Sequence, residues 1–122
     1  MNRILVIAEH DGRQLNLATA RCLRCAQRIG GEITVAVLGH SVDAVAQGAT
    51  QLEGVTEVLT FDAAANAHPL AAVYAPQLAA VSSNYTHVLA PSTTFGKDLL
   101  PRLAALLDAP AISDVMAVES AS

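Results

Sequence analysis

The residues of this chain best equipped for chemistry lie between an apolar run ending at Pro91 and a helical stretch that begins near Asp98. Ser92, Thr93 and Thr94 supply hydroxyls, Gly96 lets a backbone approach closely, and Lys97 adds a cation. A loop of this kind, following a strand and facing a helix N-terminus, suits an anion, because unpaired amides and the helix dipole converge there. Its spacing is not that of a known phosphate motif. Neither G-x-x-x-x-G-K-[ST] nor G-x-G-x-x-G occurs, and one glycine does not build a nest of amides. The competing reading is a turn shaped by Thr94 and Gly96, with Lys97 in water.

The other reactive residues make weaker constellations. Cys22 and Cys25 are spaced as C-x-x-C, which suits a redox pair at a helix N-terminus, where the dipole lowers the thiol pKa. Here they fall in mid-helix. Ala18, Cys22, Cys25, Ala26 and Ile29 recur at helical spacing and predict one inward apolar stripe. Two cysteines alone cannot complete a tetrahedral zinc site. His10 beside Asp11 could begin a triad, but no G-x-S-x-G elbow presents a nucleophile. His40 and His68 read as loop or cap residues, and His87 as a strand residue facing a helix or an edge. The carboxylate pairs Glu9/Asp11 and Asp108/Asp114 read as solvated loop charges. No catalytic residue and no metal ligand is assigned.

These residues need a scaffold, and the hydrophobic pattern supplies one. Short, continuous, β-branched runs at 4–8, 32–39, 57–61, 86–91 and 112–119 read as strands buried on both faces. Between them lie helical segments. The first follows a cap at Asn16 and stops at Gly30–Gly31. The second has Ser41 as its cap and Gly54 past its end. The third either kinks at Pro76 or begins there. The fourth runs from about Asp98, read as its cap, to Asp108, with Pro101 in its first turn. The order βαβαβαβαβ predicts an α/β fold: an open parallel five-stranded sheet with helices on both faces, a Rossmann-like three-layer arrangement. Ligands of such sheets sit beyond the C-terminal strand ends. That places four loops in view: 9–13, 39–41, 61–68 and 91–97.

Composition narrows the classes further. The length of 122 residues is that of one domain, able to bury roughly two thirds of its unfolded surface. With 52% hydrophobic but only 3% aromatic residues, the core is Ala, Val, Leu and Ile, which lets helices lie close to a sheet. A net charge of −4 with scattered cations argues against nucleic acid. No apolar run reaches the ~18 residues of a membrane span. The expectation is a soluble cytoplasmic protein of bacterial origin.

Four blocks carry a family resemblance. "LVIAEHD", "RIGGEITVAVLG", "GVTEVL" and above all "YTHVLAPSTTFGKDLLPRLAALLDAPAISDV" resemble the alpha subunit of the electron-transfer flavoprotein, in order and along the whole chain. The resemblance implies that residues 1–122 form the N-terminal, adenine-nucleotide-binding-like α/β domain, an electron-carrier component rather than an enzyme. The FAD-binding domain would lie in a C-terminal part that is absent here. It implies a beta subunit as partner, itself of related fold and holding an AMP. Through the complete heterodimer it implies flavin dehydrogenases, such as acyl-CoA dehydrogenases, as electron donors and a quinone oxidoreductase as acceptor. In that picture Ser92, Thr93, Thr94, Gly96 and Lys97 are a relic of a nucleotide site, and this chain holds no cofactor. The alternative reading is a stand-alone ATP- or AMP-binding module like the universal stress proteins.

Overall fold

A computed structural model describes residues 2–68, 70–107, 111–112 and 117–119. The apolar runs become strands because each must bury both faces. In β1 (Arg3–Ile7) and β2 (Glu32–Gly39) every residue after the first is buried. They continue into β3 (Glu57–Asp62) on one side and β4 (His87–Leu89) on the other. The order β3-β2-β1-β4 is parallel throughout.

Alternation along the strands sorts the core into two layers. Ile4, Val6, Val35 and Val37 face α1 (Leu17–Ile29) and α2 (Asp43–Thr50). Leu5, Ile7, Ala36 and Leu38 face α3 (Ala71–Ser82) and α4 (Thr94–Leu107). Buried alanines on all four helices (Ala26, Ala49, Ala75 and Ala104) let them approach the sheet closely. Each fully buried Leu or Val contributes about 1.5–3 kcal/mol, so these layers dominate stability.

Helix ends follow local chemistry. Asn16 caps α1, its side chain accepting from the Ala18 amide, and Gly30 at φ 81° ends the helix. Ser41 is not the cap of α2. It sits at φ 59°, the cap position falls to Val42 with no side-chain capping bond, and Asp62 at the end of β3 holds the turn ahead of the helix. The Asp62 carboxylate accepts from the Ser41 and Val42 amides at 2.9 and 3.2 Å. Helix α3 begins at Ala71 and runs on through Pro76, five residues in front of which already bury Tyr74 and Ala75. Packing outweighs the lost hydrogen bond.

The expected fifth parallel strand is corrected. Among the described residues, the parallel part of the sheet has four strands. Beyond β4 lie two short ones, β5 (Ala111–Ile112) and β6 (Ala117–Glu119). β6 pairs antiparallel with β4, and β5 pairs antiparallel with β6 at the sheet's edge. β5 therefore keeps the direction a helical crossover dictates, while β6 returns into the gap beside β4. The apolar pattern over 112–119 predicts one strand, but the polar pair Ser113–Asp114 interrupts it. Positions 113–116 of that strand lie outside the described residues, as do Asp108 and Asp114.

Candidate functional site

The C-terminal ends of β1 and β2 open into a cleft of about 280 Å³. Its walls come from three of the four loops at this edge: 9–13, 39–41 and 61–68. Tyr74 of α3 and Phe95 of α4 close its apolar side, their rings edge to face with centroids 6.0 Å apart. Of the fourth loop's residues, only Phe95 lines the cleft.

The polar groups of the walls are largely turned toward the protein itself. His10 sits where β1 gives way to its loop. Its Nε2 lies 2.6 Å from the Leu38 carbonyl, and its Nδ1 accepts from the Gly12 amide at 2.9 Å. This pair of contacts selects the neutral Nε2–H tautomer, donating to Leu38, and makes the ring a strut between β1 and β2. Gly39 makes room for it, since a Cβ there would meet Val42 at 2.5 Å and the His10 ring at 3.1 Å. The Asp11 carboxylate accepts from the Arg13 and Gln14 amides, both at 2.8 Å. These amides, Gln14's first, hold its pKa below the ordinary carboxylate value. The buried Asn66 pairs twice with Gln77 and donates to the Phe61 carbonyl. The Tyr74 hydroxyl donates to the Asn66 carbonyl at 3.2 Å, and burial raises its pKa.

The strand order reverses between β1 and β4, and that crevice is bridged. Thr93 Oγ1 donates to Glu9 Oε1 at 2.6 Å and accepts from the Gly96 amide at 3.2 Å. The Thr93 carbonyl accepts from the Lys97 amide at 2.8 Å. Thr93 is thus the N-cap of α4, and the helix starts four residues before the expected Asp98. Thr94, Gly96 and Lys97 are its first turn, not a loop, and Pro101 lies eight residues in. Gly96 has a packing reason: a Cβ would come within 1.8 Å of the Pro91 carbonyl oxygen. Ser92, Thr94 and Lys97 are exposed. The negative charge favoured at this helix N-terminus is supplied by Glu9.

Comparison with known proteins identifies the family. The family model described as "Electron transfer flavoprotein domain" matches residues 4–122. This chain belongs to the electron transfer flavoprotein family. Among curated relatives, the electron transfer flavoprotein subunit alpha of Pseudomonas aeruginosa is 51% identical over 117 residues, covering 96% of this chain and 38% of the relative. The mitochondrial alpha subunit of Dictyostelium discoideum is 36% identical over 96% of this chain and 35% of its own. That of Paracoccus denitrificans is 36% identical over 94% and 37%. The chain spans little more than a third of the length of these relatives.

Within this electron transfer flavoprotein domain, the remaining sequence candidates are scattered. Cys22 is buried, its pKa pushed up to about 12 by desolvation, whereas Cys25 is exposed. The inward stripe of α1 is Thr19, Cys22, Leu23 and Ala26. Cys25 and Ile29 do not join it, because α1 rests on the sheet along a narrower face than the apolar pattern suggests. His40 lies 3.7 Å from Asp62, His68 is exposed, and His87 is half-buried with Nδ1 2.9 Å from the Thr86 hydroxyl. Glu9 and Asp11 each hold a separate partner, so they do not act as a pair. Asp62, Asn66, Tyr74 and Phe95 shape this edge and were missed by motif reasoning. The available signal was position: Asp62 and Asn66 fall in the 61–68 loop, beyond a strand's C-terminal end.

Proposed function

We propose that this chain is the platform domain of an electron transfer flavoprotein alpha subunit, packing against the beta subunit while FAD is held by another part of the alpha polypeptide. In this reading the assembled heterodimer carries electrons from flavin dehydrogenases, such as those oxidising acyl-CoA, to a quinone-linked oxidoreductase of the respiratory chain. The likeness to the Pseudomonas alpha subunit, continuous over 96% of the chain, carries it. The geometry supports the cofactor-free part. A dinucleotide in an open sheet places its pyrophosphate on a helix N-terminus at the switch point. Here Thr93 caps that helix and the Glu9 carboxylate faces it, so a phosphate would meet a like charge. Ser92, Thr93, Thr94, Gly96 and Lys97 then serve as a helix start rather than as a nucleotide cradle.

The test is reconstitution with the beta subunit of an electron transfer flavoprotein, followed by size-exclusion chromatography and absorption spectroscopy. The expected result is a one-to-one complex, with no flavin absorbance from the isolated chain. Failure to form a complex, or stoichiometric flavin on the chain alone, overturns the reading. Melting with AMP or ATP separates the stand-alone nucleotide-binding alternative, for which ligand at ~100 times its dissociation constant would stabilise the fold by ~2.7 kcal/mol.

A further inference from the structure

The outer face of α1 carries a cationic row in a chain of net charge −4. Arg21, Arg24 and Arg28 hold three of its seven Lys and Arg residues, and all three are exposed. At 100° per residue they fall within about 60° of arc and span about 10 Å along the helix axis. Leu17 lies in the same sector one turn earlier and is 78% exposed. The row therefore reads Leu17, Arg21, Arg24, Arg28: one apolar side chain followed by three guanidinium groups.

Nothing in the helix offsets this charge. α1 contains no acidic residue. Among the described residues, the ion pairs are made by Arg3, His40 and Arg102, and none involves the row. Arg21–Arg24 and Arg24–Arg28 are like-charge neighbours at i,i+3 and i,i+4, which destabilises a helix. Only Arg28, in the last turn, gains from the helix dipole. A row that costs local stability and that no described residue compensates is explained by a partner that supplies the carboxylates.

We propose that the outer face of α1 is a docking surface for an acidic segment of a partner protein, its carboxylates meeting Arg21, Arg24 and Arg28 and an apolar side chain covering Leu17. Guanidinium groups bind carboxylates with a planar fork, and Arg is prominent among residues that dominate protein interfaces. A protein is favoured over a nucleic acid or an anionic membrane. The row is short, the rest of the chain is negative and would be repelled by an extended polyanion, and Leu17 stands at its end rather than forming an apolar face. The inference is independent of the beta-subunit reading.

A fluorescein-labelled oligo-glutamate peptide ending in leucine is the probe, with binding followed by anisotropy at low and high salt. The intact chain is expected to bind, with affinity falling as salt rises. The R21Q/R24Q/R28Q variant, which keeps helix-forming side chains, is expected to bind about tenfold more weakly, as three lost exposed charge contacts imply. R102Q, on α4, is expected to bind as the intact chain does. Cys25, exposed beside the row, gives a readout that needs no variant: bound peptide should slow its alkylation. Equal binding by the triple variant, no protection of Cys25, or preference for phosphatidylserine vesicles or duplex DNA over the peptide would each overturn the proposal. Loss of beta-subunit assembly alone would leave it standing.

Discussion

Cys22 and Cys25 stand less than one helical turn apart, yet their environments differ completely. Burial against the sheet pushes the Cys22 thiol up to about 12, while Cys25 meets solvent. Since the thiolate is the nucleophile, iodoacetamide at neutral pH should add once per native chain, at Cys25, and twice after denaturation. Mass spectrometry of the digested protein checks this, and a native adduct on Cys22 would contradict the burial argument. The spacing of the two cysteines was legible, but their difference was not. An apolar stripe predicted from periodicity included both, because cysteine counts as a small hydrophobe wherever it points. Which residues of α1 touch the sheet depends on the helix's rotation against β1 and β2, which no local pattern encodes.

At the scale of elements, the turn leading into α2 shows how a helix start can be held by a group far away in sequence. Asp62, at the end of β3, accepts from the Ser41 and Val42 amides. The Ser41 amide first, then that of Val42, with a smaller contribution from His40, holds its pKa below the usual aspartate range. The sign follows. In the unfolded chain Asp62 takes up its proton near the ordinary value of about 3.9, and in the folded chain only at lower pH. Between the two values the unfolded state binds more protons. The contribution is therefore complete above the unfolded value and is lost as pH falls through the folded one. Thermal melts of Asp62→Ala should show a lower Tm than the intact protein near neutral pH. The gap should narrow as the pH drops below about 4. Asp11, held low by the Gln14 and Arg13 amides, should keep part of the acid sensitivity in that variant. A gap independent of pH would show that Asp62 does not act through its charge. A serine ahead of an apolar helical pattern is the usual cap, which is why the sequence points to Ser41. The structure instead uses Ser41 for a positive-φ turn that brings its amide to the neighbouring strand's carboxylate.

On the scale of the whole molecule, the sheet separates two apolar layers that share no side chains. Leu23 belongs to the layer under α1 and α2, and Leu78 to the layer under α3 and α4. Each Leu→Ala change should cost about 2–5 kcal/mol through lost burial and the cavity left behind. For a domain with a stability on the order of 5–15 kcal/mol, the double variant approaches unfolding. The two costs should add to within about 0.5 kcal/mol, because the sites share no partner. Urea denaturation of the single and double variants measures this. A large coupling energy would mean that the sheet transmits strain between its faces.

The periodicity of the apolar runs predicted five parallel strands, of which four stand, and four helices on both faces, because a strand buried on two sides and a helix buried on one leave different repeats in the sequence. The long "YTHVLAPSTTFGKDLLPRLAALLDAPAISDV" block was enough to point to the family that comparison then established. The start of α4 and the fate of the sheet's far edge were decided only in three dimensions. Thr93 outcompetes Asp98 as a cap because Glu9, 84 positions away in the chain, lies at hydrogen-bond distance. β6 turns back beside β4 because pairing there satisfies backbone groups that an unpaired edge would leave to solvent. Local propensity cannot register either effect, since both depend on groups that become neighbours only after the chain has folded.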